Sequence, residues 1–210
     1  MERMDINTDI PTQIRNCKLC PLSASRSNAV PALPGKTYRD GGIALMLESP
    51  NFQDDRSGEP FTRGTSYRRT MGNTLDSVID ALAVQSQERG EDVLERDDLI
   101  LMTSVRCKPE HRLEDHPEAI HACGSWTDIE LEAYKPGIVV FLGNQHLAKR
   151  YLGSKVGPKD HHGAHRATEG RLWGLTYSLG SVFHNPELID TIVDDLLVYK
   201  RVWKSLSMID

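Results

Sequence analysis

IALMLES, residues 43–49, is an almost continuous apolar run that stops against PNFQDDRSGEPF, residues 50–61. Such a run reads as a strand buried on both faces, the habit of parallel sheets. The loop that follows is polar and contains Pro50, Gly58 and Pro60. Open α/β folds place ligands in loops that leave the carboxyl ends of such strands.

Working outward, residues 1–16 are polar and predict a short helix or arm, and residues 17–42, rich in Pro, Ser and Gly, predict a loop. Downstream of a basic stretch at 62–73, Leu75, Val78, Ile79 and Leu82 recur at helical intervals. A second strand is expected over 97–106, running straight into Cys107. A helix over 116–134 follows, with Pro117 near its start, and Lys135, Pro136 and Gly137 end it. Residues 137–143 predict a third buried strand and 144–152 a short helix. The segment 153–171 reads as turn-rich, with His161, His162 and His165 and no evident acidic partner. A fourth strand is expected over 175–183 with His184 at its end, then a closing helix over 187–206. Strands alternating with helices predict an α/β/α sandwich around a short, mostly parallel sheet. With no repeat and no linker, residues 1–210 read as a single domain.

Composition bounds the rest. The chain is 39% hydrophobic and 26% charged, ordinary for a soluble domain. No apolar stretch is long enough to cross a membrane, and the N-terminus lacks the apolar run of a secretory signal. A reducing, cytoplasmic setting is therefore expected, and a chain that works as a monomer. The net charge of −5 argues against indiscriminate nucleic-acid binding but leaves room for a local basic groove.

The four cysteines are Cys17, Cys20, Cys107 and Cys123. A C-x-x-C pair with two remote single cysteines suits a metal centre that staples the N-terminal segment to the middle of the fold. Four thiolates fit either zinc or an iron–sulfur cluster, and spacing does not choose. The plainer alternatives are unrelated buried thiols or two disulfides. Two loops, 47–61 and 182–186, are expected at one edge of the sheet. Together they bring carboxylates, an aromatic ring and a histidine to one cleft.

In order and spacing, these motifs resemble the uracil-DNA glycosylase superfamily, specifically its iron–sulfur family 4, over nearly the whole chain. LESPNFQDDRSGEPF (47–61) stands for that family's G-E-A-P-G-x-x-E-D-x-x-G-x-P-F, and MTSVRCKP (102–109) for its T-N-V-V-K-C-R-P. VVFLG (139–143) and FHNP (183–186) complete the match. The resemblance implies a structural 4Fe–4S cluster on Cys17, Cys20, Cys107 and Cys123. It implies a DNA substrate and hydrolysis of the bond between base and deoxyribose. Phe61 would stack on a flipped base and His184 would stabilise the departing base anion. Asp54 is the favoured carboxylate for the attacking water, Glu48 its competitor and Asp55 a weaker third. Arg63, Tyr67, Arg68 and Arg69, in a stretch about ten residues longer than the family's by loop-length reasoning, are candidates for DNA contact.

The departures cluster around the base. Leu47 and Asn51 replace glycines, Thr103 replaces the asparagine that reads the uracil edge, and Asn185 replaces a proline. A threonine hydroxyl cannot supply the paired donor and acceptor of a carboxamide. Asn51 either reads a polar base edge or serves its own turn. The matched loops contain no lysine, so strand cleavage through a Schiff base is not expected. The expected substrate is a modified pyrimidine. Some relatives of this architecture remove glucosylated 5-hydroxymethylcytosine from phage DNA in anti-phage defence. The alternatives are an ordinary uracil glycosylase, a catalytically silent DNA-binding module and a redox-sensing iron–sulfur protein.

Overall fold

The computed structural model describes residues 6–65, 69–143, 145–153, 156–168 and 170–207. In chain order the elements are α1 (Ile6–Arg15), α2 (Leu22–Ser25), β1 (Leu33–Pro34), β2 (Ile43–Leu47), α3 (Phe52–Ser57), α4 (Met71–Glu88) and β3 (Leu99–Thr103). There follow α5 (Pro117–Tyr134), β4 (Ile138–Leu142), α6 (Gln145–Leu152), α7 (Pro158–His161), β5 (His165–Thr168), β6 (Arg171–Thr176), α8 (Leu179–Val182) and α9 (Leu188–Ser207).

One six-stranded sheet runs in the order β1-β3-β2-β4-β6-β5. The four central strands are parallel, and β1 and β5 add antiparallel edges. Alternation along β2 assigns the two cores. Ile43, Leu45 and Leu47 face Leu75, Val78 and Leu82 of α4 and Ile192, Val193 and Leu196 of α9. Ala44 and Met46 face the other way, toward Leu131 of α5 and Leu147 and Tyr151 of α6. The helices therefore cover both faces, as the alternating pattern predicts. A third cluster joins Ile10 and Ile14 of α1 to Cys107 and to Ala119 and Cys123 of α5.

The chain leaves β2 for β3 on one side and later for β4 on the other, so the sheet reverses order between β2 and β4. Open sheets place a ligand crevice at the carboxyl ends of such a pair.

Three expectations are corrected. The fourth central strand is Arg171–Thr176, not 175–183, and Leu179–Val182 is a short helix capped by the Ser178 hydroxyl, which accepts from the Ser181 N–H. His184 thus follows a helix rather than a strand end. The segment 153–171 is not only turns: α7 and then the hairpin strand β5 lie in it. β5 is an exposed edge, so it carries no apolar signature to read. The second strand ends at Thr103, four residues short of Cys107.

Candidate active site

The ends of β2 and β3 are tied together beyond the last ladder pair, Leu47 with Thr103. The Ser104 N–H donates to the Leu47 carbonyl (2.8 Å), and the Ser104 hydroxyl (2.6 Å) and Val105 N–H (3.0 Å) donate to the Glu48 carbonyl. These bonds fix the backbone of Glu48 at the mouth of the crevice while its side chain stays 36% exposed. Burial raises the Glu48 carboxyl above its ordinary value, His146 opposes the rise and Glu114 adds to it.

Asp54 sits differently. It is fully buried, and the Asn51 N–H (3.1 Å) and Thr62 N–H (2.7 Å) each donate to one of its oxygens. Burial raises its carboxyl too, against those two donors. Asp54 braces the loop from both ends, whereas the Glu48 carboxylate keeps its exposure at the crevice. Asp55 is likewise buried and accepts from the Ser27 and Asn28 N–H groups. Asn51 caps α3: its side-chain oxygen accepts from the Gln53 (2.7 Å) and Asp54 (3.1 Å) N–H groups. That oxygen is not free to read a base edge.

Phe61 has no exposed surface and a φ of 54°, a left-handed conformation rare outside glycine. Its carbonyl accepts from Arg96 Nη2 (2.6 Å), and α4 presses on it from Gly72, where a Cβ would lie 2.3 Å from that same carbonyl oxygen. Phe61 is a core aromatic in this conformation, so the expected stacking face is covered.

Thr103 is also fully buried, and its hydroxyl has no hydrogen-bond partner among the described residues. Leaving such a group unpaired costs about 1–3 kcal/mol. His184 and Asn185 are exposed, and both backbone N–H groups donate to the Ser181 carbonyl. Gly143, at the end of β4 with φ 69°, leaves no room for a Cβ, which would lie 2.5 Å from the Ser178 Cβ.

Of the basic candidates, Arg63 forms two bonds to Asp76 (2.6 and 3.0 Å), which also binds Arg96 (2.8 Å). Arg63 is thereby partly neutralised as a phosphate ligand. Arg69 donates from Nη1 to the Phe183 carbonyl (2.7 Å), next to His184. Tyr67 and Arg68 lie outside the described residues. Among the three histidines an acidic partner does exist: Asp195 of α9 lies 3.3 Å from His162 Nδ1 and accepts from the Thr176 hydroxyl (2.6 Å).

Sequence reading passes over Arg96, His146 and Phe52. His146 Nε2 lies 3.5 Å from Glu48 Oε1. Phe52 is 57% exposed beside Asn51, with the Arg56 guanidinium 5.7 Å from its ring. An exposed aromatic is a signal a sequence hides, because apolar residues are read as core by default.

The four cysteines are free thiols. Burial pushes the Cys107 thiol up to about 11, with Arg26 opposing it and Cys123 and Cys20 adding to it. The Cys123 thiol is raised by burial, and Cys20 and Cys17 contribute. All four therefore share one neighbourhood, yet no three such groups among the described residues converge as ligands of one metal ion. Donors surround the sulfurs. Arg26 Nη1 lies 3.0 Å from Cys107 Sγ, Trp126 Nε1 3.4 Å from Cys17 Sγ and the Arg106 N–H 3.5 Å from Cys123 Sγ. Arg106 is buried against Glu130, with Nε and Nη1 unpartnered among the described residues. Cationic and N–H donors around spaced thiolates fit an anionic polynuclear cluster.

No helix among the described residues is long and apolar enough to cross a membrane. The sequence model of the Uracil DNA glycosylase superfamily matches residues 40–196. The type-4 uracil-DNA glycosylase of Sulfurisphaera tokodaii is 26% identical over 201 residues, covering 91% of this chain and 82% of that protein. That of Saccharolobus solfataricus is 23% identical over 216 residues, covering 99% and 88%. That of Thermotoga maritima is 26% identical over 154 residues, covering 73% and 70%.

Proposed function

The chain belongs to the uracil DNA glycosylase superfamily, and on that premise we propose that it extrudes a modified pyrimidine from DNA and hydrolyses its N-glycosidic bond. It is a DNA glycosylase, and its product is an abasic site. Glu48 accepts a proton from water as the water oxygen bonds to C1′ of the deoxyribose. The electron pair of the broken bond leaves on the base, whose developing charge His184 stabilises by a hydrogen bond. Support for Glu48 comes from its place at the sheet's switch point and its partial exposure, while Asp54 has both oxygens taken by backbone donors.

The observation that carries the substrate reading is Thr103, a buried hydroxyl without a partner where the family resemblance implies a carboxamide. Sites that hydrogen-bond a base edge reject bases lacking the complement by large factors. Losing the carboxamide weakens the hold on uracil, and the orphaned hydroxyl waits for a group from the substrate. A 5-substituted pyrimidine brings one, and glucosylated 5-hydroxymethylcytosine, rich in hydroxyls, is the base proposed. That substrate would give the enzyme a role in defence against phage. The relatives, type-4 uracil-DNA glycosylases by name, favour a second reading, ordinary uracil excision.

Cys17, Cys20, Cys107 and Cys123 would hold a 4Fe–4S cluster. When bound it supplies a cross-link between the N-terminal segment, the loop after β3 and α5, and hydrolysis asks no electron of it.

The test is mass spectrometry of bases released from uracil-containing, hydroxymethylated and glucosylated DNA. The expected result is release of a 5-substituted cytosine by the wild type and none by Glu48→Gln. Uracil as the single base released would overturn the substrate reading.

A further inference from the structure

Glu48 does not stand alone at the crevice. His146, in the first turn of α6, enters from the β4 side, and Glu114 enters from the turn Leu113–Asp115. His146 Nε2 lies 3.5 Å from Glu48 Oε1 and 3.8 Å from Glu114 Oε1. Glu114 is 62% exposed, His146 28% and Glu48 36%. The imidazole lies between the two carboxylates and is the least exposed of the three.

The Glu114 carboxylate disfavours ionisation of Glu48, and the imidazole between them opposes that effect. A proton on Nε2 also fixes the direction of the carboxylate it faces, as a second shell of ligands does at a metal site. Position adds to the argument. β2 and β4 are the pair at which the sheet reverses; Glu48 directly follows the first and α6 begins three residues after the second. The contact therefore spans the crevice itself.

We propose that His146 is a positioning residue for the reaction: it holds Glu48 as an anion with one oxygen fixed, leaves the other for water, and separates Glu48 from Glu114. This rests on the reading of Glu48 as the water-binding carboxylate. The charged groups that bear on Glu48 are His146 from α6 and Glu114 from the turn before α5. His146 opposes protonation of Glu48 and Glu114 favours it, so the two substitutions act in opposite directions.

The test needs no known substrate in its first arm. Carboxyl carbon shifts of glutamate-labelled protein report the Glu48 titration, assigned by its disappearance in Glu48→Gln. The midpoint moves up in His146→Gln and down in Glu114→Gln. In the second arm, single-turnover release is followed against pH on oligonucleotides carrying glucosylated 5-hydroxymethylcytosine or uracil, whichever is cleaved. The acid limb moves as the midpoint does, and DNA affinity stays within about twofold of wild type, the change expected of a residue that contacts no phosphate. Unmoved midpoints in both variants would overturn the proposal alone. So would a His146→Gln variant whose change is weaker DNA binding with a shallower salt dependence. A Glu48→Gln enzyme that releases base at the wild-type rate would remove the reading of Glu48, and this proposal with it. Should His146→Gln fail to fold, Glu114→Gln carries the test through its downward shift.

Discussion

At the scale of single residues, the two acids of the loop after β2 are held differently: Asp54 by two backbone N–H groups, Glu48 with its carboxylate partly exposed beside His146. Glu48, Asp54, Phe61 and His184 stand out from sequence because each has a chemistry. Nothing in the sequence says that Asp54 spends both oxygens on backbone N–H groups, whereas Glu48 spends its carbonyl and keeps its carboxylate. The two acids therefore fail differently. Glu48→Gln should lower single-turnover release by about 10²–10⁴-fold with stability unchanged, the loss typical of a general base. Asp54→Asn should instead destabilise the fold by about 1–3 kcal/mol, since an amide cannot accept at both ends. It should also change the pH dependence of stability. Burial raises the folded-state carboxyl of Asp54, so the folded chain holds the proton more tightly than the unfolded one. The stability this contributes is present below the unfolded value and lost as pH rises through the folded one. Urea unfolding at a series of acidic to neutral pH values should show that slope in the wild type and lose it in Asp54→Asn.

At the scale of elements, buried parallel strands declared themselves because an unbroken apolar run has few other uses. Ile43–Leu47, Leu99–Thr103 and Ile138–Leu142 fall inside their expected ranges. Where one side is open the pattern fails. β5 is an exposed edge, and the apolar residues of α8 continue the pattern of β6, so the two read as one strand. The close contact of α4 with the Phe61 loop is equally silent in sequence, since only the absent Cβ of Gly72 permits it. Gly72→Ala should push that loop away, costing about 1–3 kcal/mol by overpacking and slowing base release. The cysteines lie in another cluster, so cluster colour should survive. Arg69 links the inserted loop to the backbone before His184. Arg69→Ala should therefore slow turnover at saturating DNA, beyond any flattening of the salt dependence of binding.

The whole molecule is an α/β/α sandwich with a third, smaller cluster beside its two cores; Cys107 and Cys123 sit in that cluster and Cys20 packs against it. Its parts come from α1, the loop after β3 and α5, segments distant in sequence. A cross-link there restrains the largest loops of the chain, so Cys107→Ser should yield colourless, poorly soluble protein with iron and sulfide lost together. A colourless, folded protein with stoichiometric zinc would contradict the cluster. The remaining question for the molecule is which base it was shaped around, and this turns on Thr103. The most direct measurement is the ratio of single-turnover rate constants for two otherwise identical oligonucleotides, one carrying glucosylated 5-hydroxymethylcytosine and one uracil, in the wild type and in Thr103→Asn. The account predicts a wild-type ratio well above one and a fall of at least about tenfold in the variant, as a carboxamide returns to the base edge. A wild-type ratio below one, left unmoved by Thr103→Asn, would contradict it.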